Sequence, residues 1–216
     1  MLGLAVAGAY SATRLILPSI VAAGLALGVG IVLTGGLHED GLADMADSVG
    51  GGWSREESLR ILEDPRHGTY GVIALALGLL VKAGALASLD GWSALATLPA
   101  AHALSRGAAV GLLAVIEPAP REGLGAAYST SMTGRLGLSS LGVGLMVGAL
   151  SLGVWVVPGL ALTVLGAGSV GWLARRRFGG VTGDVLGAAQ QVGEVLVLLL
   201  GAAATVHAWP WMPWWR

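Results

Sequence analysis

The chain lacks cysteine altogether and carries very little charge. Of its 216 residues, 12% are Asp, Glu, Lys or Arg, and phenylalanine occurs once. The lack of cysteine excludes disulfide bonds, thiolate nucleophiles and cysteine-ligated metals. The shortage of charge excludes an ordinary soluble surface, because soluble domains typically have about 25% charged residues. With 55% hydrophobic residues and 36 glycines, the composition predicts an all-α bundle packed through small residues in a membrane.

Apolar runs of roughly the length that crosses a bilayer predict six spans. They lie at residues 15–37, 70–89, 94–116, 136–157, 159–173 and 185–206. A shorter apolar segment at residues 2–12 brings the prediction to about six or seven transmembrane helices. We expect one integral membrane domain over residues 1–216, because no repeat or low-complexity linker divides the chain.

Among the predicted connections, the first, third and fifth contain the basic residues. The positive-inside rule then places these three connections in the cytoplasm, and every candidate catalytic group lies in or beside them. The tryptophan-rich segment 209–216 is predicted to anchor at the opposite interface. The arginines that set this orientation are Arg55, Arg60, Arg66, Arg121, Arg135, Arg175, Arg176 and Arg177.

Acidic residues cluster directly after the first predicted span. Eight of the thirteen acids lie between His38 and Gly68. Asp40, Asp44 and Asp47 have the spacing i, i+4 and i+7, which places three carboxylates on one stripe of a helix. A cation relieves their repulsion, and oxygen ligands of this kind favour Mg²⁺ or Mn²⁺. The structural alternative is a solvated helix start in which the acids cap the helix.

A second polar motif, residues 64–71, precedes the second predicted span. Arg66 and His67 are predicted to meet a phosphate at a helix start, with Thr69 as the N-cap. Asp64 is predicted to be either a further metal ligand or the partner of Arg66. A positive-inside anchor with ordinary capping is the alternative for this motif.

Charged residues also occur within and beside the later spans. Because an unpaired charge is costly in hydrocarbon, Glu194 is predicted to pair with an intramembrane arginine such as Arg106, or to act as a base. Lys82 either has a structural role or faces the site. Asp184 is predicted to be a second pole of the metal site or an N-cap. Arg135 is predicted to be a phosphate contact or an interfacial residue.

The glycine run Gly50, Gly51 and Gly52 permits either a close approach to a bulky phosphate or a sharp turn. Together with the acids and arginines, it predicts phosphoryl or pyrophosphoryl chemistry. Mg²⁺ bridges phosphate oxygens in such reactions, and arginines neutralise the charge that develops on the leaving group.

These motifs resemble the cobalamin synthase family, adenosylcobinamide-GDP ribazoletransferase. The resemblance covers nearly the whole chain. It implies a Mg²⁺-dependent enzyme of the bacterial inner membrane that joins α-ribazole, or its 5′-phosphate, to adenosylcobinamide-GDP and releases GMP. Family members usually begin with a further N-terminal segment, which we expect this chain to lack. The matching motifs are residues 33–47 with the glycine run, 63–71, Ser105-Arg106-Gly107 and 179–188 followed by Glu194.

The resemblance also implies roles for individual residues. Asp40, Asp44, Asp47 and Asp184 would hold Mg²⁺ against the diphosphate, and Arg66 and Arg106 would neutralise its oxygens. His38 would be the general base, with Asp64 as the alternative. Membrane lipid is an expected partner, a homo-oligomer is left open, and nucleic acid is not expected. The residues predicted to bind substrate are Gly50, Gly51, Gly52, His67, Thr69, Arg135 and Glu194.

Two other functions are compatible with parts of the pattern. A CDP-alcohol-type membrane phosphotransferase also uses spaced aspartates, but its pattern has an Ala-Arg pair that does not follow Asp40-Gly41 here. A small transporter or ion channel with an acidic mouth is the non-enzymatic alternative. It predicts charges along several spans, whereas here the acids gather on one predicted face.

Overall fold

The computed structural model describes residues 1–119 and 134–209, and its regular structure in these ranges is helical. The only β pairing there is an isolated bridge between Pro118 and Val181. The predicted all-α class is therefore confirmed. Helices α1 to α9 span Leu2–Thr13, Ser19–Thr34, Leu37–Gly51, Arg55–Leu62, Thr69–Ala87, Gly91–Gly111, Gly134–Leu152, Val156–Arg177 and Gly183–Val206.

The first predicted span is shorter than expected and is followed by a sharp bend. α2 has 16 residues, so at about 1.5 Å per residue it covers roughly 24 Å, less than the ~30 Å hydrocarbon layer. Gly35 and Gly36 have φ values of 68° and 72°, and α3 departs from α2 at 92°. Left-handed glycines end the helix. Because α3 carries four carboxylates, it belongs outside the membrane-spanning segments.

α7 and α8 form an antiparallel hairpin, although both lie in one apolar stretch of 43 residues. Near the turn, Gly148 of α7 and Gly159 of α8 both pack against Leu104 of α6. At their other ends, Gly137 and Gly171 both pack against residues 110–116. The stretch therefore reverses direction instead of continuing as one helix, which agrees with the two spans predicted there.

Within the described residues, α5, the α7–α8 stretch and α9 are long and apolar enough to cross a membrane. The bent α2–α3 pair passes the same length and composition test only when its two helices are counted together, although its charged part, α3, lies beyond the bend. α6 does not qualify, although it has 21 residues. It contains His102 and Arg106, which it packs among the other helices. The class of helical membrane protein is confirmed, and the number of spans stays a prediction.

Charged residues gather at one end of the bundle. The C-terminal ends of α2, α6 and α8 lie there with α3, α4 and the N-terminal ends of α5, α7 and α9. Hydrogen bonds tie the connections together: Arg177 Nη1 donates to the Gly52 carbonyl at 2.8 Å, and the Ala119 amide donates to the Val181 carbonyl at 2.9 Å. Residues far apart in sequence therefore share one face.

Small residues allow α6 and α7 to approach closely. A Cβ atom on Gly144 would lie 2.7 Å from the Ala103 carbonyl oxygen, closer than real Cβ contacts allow. By contrast, a Cβ on Gly142, on the same helix, would meet open space. Close packing through glycine is the typical way in which membrane helices associate.

We expect Gly144→Ala to destabilise the bundle by roughly 1–3 kcal/mol, because the added methyl group forces α6 and α7 apart. Gly142→Ala should be neutral or stabilising by up to about 1 kcal/mol, since alanine favours the helix. Unfolding in detergent, followed by tryptophan fluorescence, measures both. Equal effects of the two substitutions would contradict this packing.

Candidate functional site

The acidic stripe of α3 meets the loop that leads into α5. Asp40 and Asp44 lie one turn apart, and their Oδ1 atoms are 3.6 Å and 3.5 Å from Nε2 and Nδ1 of His67. One ligand atom from each of the three residues lies within 4.8 Å of the other two. Two carboxylates and an imidazole form a donor set that could hold a divalent cation. The sequence predicted His67 as a substrate contact, and the structure adds it to the cluster of acids.

Electrostatic repulsion is concentrated at Asp44. Burial, and then the neighbouring Asp40 and Asp184, raise the pKa of Asp44 to about 6, whereas His67 opposes the shift. Crowded carboxylates of this kind are stabilised when a cation neutralises them. The residues present therefore fit the predicted divalent cation.

Asp184 reaches this region because α9 packs closely on α3. A Cβ on Gly41 would lie 2.7 Å from the Asp184 carbonyl oxygen, so the close approach requires glycine. The N-cap of α9 is Thr182, whose Oγ1 accepts a bond from the Val185 amide at 3.3 Å. The alternative interpretation of Asp184 as the N-cap is therefore wrong. Its role as a metal ligand stays a prediction.

The Asp47 carboxylate is directed toward α5. Its two oxygens accept hydrogen bonds from the Gly68 and Gly71 amides at 2.6 Å and 2.8 Å. These amides lie at the start of α5, where the helix itself supplies no acceptors. The prediction that Thr69 is the N-cap is wrong, because Thr69 is the first helical residue and Gly68 precedes it. Asp47 supplies the cap from another helix, and its predicted metal contact stays a prediction.

Asp64 and Arg66 pair with each other. Arg66 donates from Nε and Nη2 to the two Asp64 oxygens at 2.9 Å and 2.8 Å, and its side chain is 86% exposed. The hydrogen bonds from Arg66 lower the pKa of Asp64 to about 2. Asp64 was predicted to be either a metal ligand or the partner of Arg66, and the structure shows it as the partner of Arg66. Such a carboxylate is a poor proton acceptor near neutral pH.

The glycine run at the end of α3 serves close packing. A Cβ on Gly50 would overlap the Tyr70 ring, and one on Gly52 would overlap Ser58. The run therefore lets α4 and α5 approach the end of α3. The predicted approach of Gly50, Gly51 and Gly52 to a phosphate stays a prediction.

A second charged cluster lies inside the bundle. Lys82 Nζ is 2.8 Å from Glu194 Oε1 and donates to Gln191 Oε1 at 2.6 Å. Gln190 Nε2 donates to Glu194 Oε2 at 2.5 Å. Arg106 Nη1 lies 4.0 Å from Glu194 Oε2, so Lys82 is the principal partner of Glu194 and the predicted arginine is secondary. We did not predict the two glutamines, although adjacent amides in an apolar helix were an available signal.

Arg106 stands between this buried cluster and an open groove. Its Nη1 lies 2.9 Å from His102 Nδ1 and donates to the His102 carbonyl at 3.2 Å. Arg106 and His38 both line a groove of about 230 Å³ between α3, α6 and α9, which runs past Gly183 and Gly187. Burial, and then the positive charge of Arg106, lower the pKa of His38.

Other predicted residues lie farther from these clusters or outside the described ranges. Arg135 is exposed in the first turn of α7, at the charged end of the bundle. Arg121, the polar residues 129–133 and residues 210–216 of the tryptophan-rich segment lie outside the described residues.

A helical membrane bundle with carboxylates, imidazoles and arginines at one end has the architecture of an integral membrane enzyme. Sequence comparison narrows this class. The sequence profile described as cobalamin-5-phosphate synthase matches residues 1–202. The chain therefore belongs to the cobalamin-5-phosphate synthase family, as its motifs predicted, and is a membrane-bound transferase.

Curated relatives agree with this assignment. Proteins named adenosylcobinamide-GDP ribazoletransferase from Bradyrhizobium diazoefficiens and Rhizobium etli are 42% and 41% identical over 206 and 196 residues. These alignments cover 94% and 86% of this chain, and 79% and 74% of the relatives. One from Ralstonia nicotianae is 40% identical over 210 residues, with 92% and 78% covered. No solved structure matches the chain.

Asp44→Asn should stabilise the protein in the absence of divalent cations. Because the folded-state pKa of about 6 exceeds the ordinary value of about 4, ionised Asp44 costs stability at pH 7.5, and this cost disappears as the pH falls through 6 toward 4. We therefore expect a higher melting temperature at pH 7.5 and no further increase on addition of Mg²⁺ or Mn²⁺. Asp64→Asn is the matched control and should keep the cation-induced increase. A lower melting temperature for Asp44→Asn would contradict the repulsion.

Asp47→Ala should lower the free energy of unfolding by roughly 1–3 kcal/mol, because it leaves the Gly68 and Gly71 amides without acceptors. Asp47→Asn retains one acceptor oxygen and should fall between this variant and the unchanged protein. Thermal unfolding with and without Mn²⁺ separates the two roles of Asp47. If Mn²⁺ still stabilises the Asp47→Ala variant, Asp47 is a helix cap. If Mn²⁺ no longer stabilises a variant that is folded, Asp47 is a metal ligand.

Proposed function

We propose that this protein transfers the adenosylcobinamide phosphate group from adenosylcobinamide-GDP to α-ribazole, or to its 5′-phosphate, in a Mg²⁺-dependent reaction that releases GMP. The observation that carries this proposal is the meeting of Asp40, Asp44 and His67 at the same end of the bundle as Arg106 and His38. The names of the relatives support the choice of substrates.

The reaction exchanges a phosphoanhydride bond for a phosphoester bond. A ribazole hydroxyl forms a bond to the phosphorus that carries the cobinamide chain. The bond between that phosphorus and the bridging oxygen breaks, and the oxygen leaves as part of GMP. The hydroxyl proton passes to a base. The transfer therefore requires charge neutralisation on the diphosphate and a proton acceptor beside the hydroxyl.

Asp40, Asp44 and His67 would hold the cation, with Asp184 as a further ligand. Mg²⁺ bound there would neutralise charge on the diphosphate. Arg106 would bind a non-bridging oxygen, because a guanidinium forms strong charge-assisted bonds to phosphate. Its 30% exposed side chain on the groove makes it available for this contact.

We assign the base to His38. Its lowered pKa favours the neutral imidazole near pH 7, which is the form that accepts a proton. His38 lies two residues before Asp40 and lines the groove with Arg106. Asp64 is the poorer choice, because Arg66 occupies both of its oxygens and lowers its pKa to about 2.

We also propose that the charged end of the bundle faces the cytoplasm and that the membrane is a bacterial inner membrane. Arg55, Arg60, Arg66 and the arginines of 175–177 all lie at this end, whereas the described residues of the opposite end carry Arg14. Such an excess of arginine is typical of cytoplasmic connections.

The decisive experiment mixes purified protein in detergent with Mg²⁺, adenosylcobinamide-GDP and α-ribazole. We expect equal amounts of GMP and the new cobamide, both measured by chromatography. Asp44→Asn should lower kcat/KM by about 10²-fold or more, since it removes a charge that holds the cation. His38→Ala should lower kcat by roughly 10²- to 10⁴-fold.

Glu56→Gln provides the matched control, because it removes one exposed carboxylate of α4 without touching the acidic cluster. Its kcat/KM should equal that of the unchanged protein. GMP release without cobamide, or GMP release undiminished in Asp44→Asn, would contradict the proposed transfer.

A further inference from the structure

His102 lies between a cation and an anion that would otherwise meet. It precedes Arg106 by one turn of α6, and its Nδ1 atom is 2.9 Å from Arg106 Nη1 and 3.2 Å from Glu194 Oε2. A single ring nitrogen therefore faces both a guanidinium donor and a carboxylate acceptor.

These two contacts cannot both be hydrogen bonds at once. When Nδ1 has no proton, it accepts a bond from Arg106. When Nδ1 carries a proton, it donates to Glu194, and the Arg106 N–H then faces another N–H group. The proton on His102 thus selects which neighbour is bound.

The other ring nitrogen, Nε2, does not determine whether Nδ1 carries the proton. His102 is 8% exposed, and within residues 1–119 and 134–209 its Nε2 has no hydrogen-bond partner. His102 lines a cavity of about 20 Å³ together with Glu39 and Lys82, and Glu39 Oε2 likewise has no partner among the residues that the structure describes. A cavity of this size accommodates about one water molecule, which can donate to Nε2 or accept from it. Either form of the ring is therefore tolerated.

The charges of the buried cluster leave Arg106 without a close counter-ion. Glu194 is already bound by Lys82 at 2.8 Å and by Gln190 at 2.5 Å. Within the described residues, the carboxylate closest to the Arg106 guanidinium is that of Glu194, at 4.0 Å. The Nδ1 atom and the carbonyl of His102 hold the guanidinium instead, so its charge remains available to an anion in the groove.

We propose that His102 is a positioning residue that keeps Arg106 apart from Glu194 and releases it to a diphosphate. Without the anion, Nδ1 accepts the Arg106 bond. When Arg106 turns toward the diphosphate, the imidazole changes tautomer: it loses the proton on Nε2 and gains one on Nδ1. Nδ1 then donates to Glu194, so that neither buried group loses its partner. The inference rests on the proposed function, because that function supplies the diphosphate.

Binding of inorganic pyrophosphate, with Mg²⁺ present, tests this role without requiring catalysis. His102→Leu removes both nitrogens and should let Arg106 close onto Glu194. We expect the Kd for pyrophosphate and the KM for adenosylcobinamide-GDP to rise by about tenfold or more, with kcat changed by less than about threefold. His102→Asn keeps a polar atom near the position of Nδ1 and should stay within about threefold of the unchanged protein.

A double variant separates positioning from a merely structural role. In His102→Leu/Glu194→Gln, the charge that captures Arg106 is gone, so pyrophosphate should bind at least about threefold more tightly than to His102→Leu alone. If His102 only supported the fold, the losses of pyrophosphate affinity caused by the two buried substitutions would add. Thr97→Val, a change to another buried residue of α6, is the control and should leave the Kd unchanged.

Unchanged pyrophosphate affinity in His102→Leu, or a double variant that binds no better than the single one, would overturn the proposal. If His102→Leu does not fold, the Glu194→Gln variant alone tests the proposal. The proposal expects this variant to bind pyrophosphate as tightly as the unchanged protein or more tightly, and a tenfold loss of affinity would refute it. Failure of the unchanged protein to form GMP would refute the transferase reaction, whereas the pyrophosphate series would still decide the role of His102.

Discussion

The bonds from the Gly68 and Gly71 amides to Asp47 determine where the candidate site forms. They join the acidic helix α3 to the first turn of α5, and His67 immediately precedes one of the two donors. The imidazole is thereby brought against Asp40 and Asp44. A buried carboxylate that satisfies two helix-end amides is strongly held in place. The cluster of acids and imidazole depends on this one capping contact between helices.

Local spacing correctly predicted the relative position of Asp40 and Asp44, because this position depends on one helix. Asp40 and Asp44 stand one turn apart on α3, as the i, i+4 spacing requires. The same spacing placed Asp47 with them, but the orientation of its carboxylate depends on α5, which is 21 to 24 residues away. His67 joined the cluster for the same reason. Contacts between separate helices cannot be obtained from the periodicity of either one.

The partners of the intramembrane charges could likewise be predicted only in part. Electrostatics in hydrocarbon required a partner for Glu194, and the structure provides one. Arg106 and Lys82 were both available in sequence, and only helix packing decided that Lys82 is closer.

The end of α2 was also unpredicted, since adjacent glycines are common in membrane helices. At Gly35 and Gly36, both residues adopt left-handed backbone angles and end the helix.

α9 carries one acid at each cluster. Asp184 lies beside the crowded carboxylates of α3, and Glu194 lies inside the bundle with Lys82. Ten residues of helix separate them, about 15 Å along a rigid rod. A shift of α9 that draws Asp184 toward a cation must also displace Glu194 relative to Lys82 and His102. A cation held by Asp184 would therefore be thermodynamically linked to the arrangement of charges within the membrane, and each would influence the other by the same free energy.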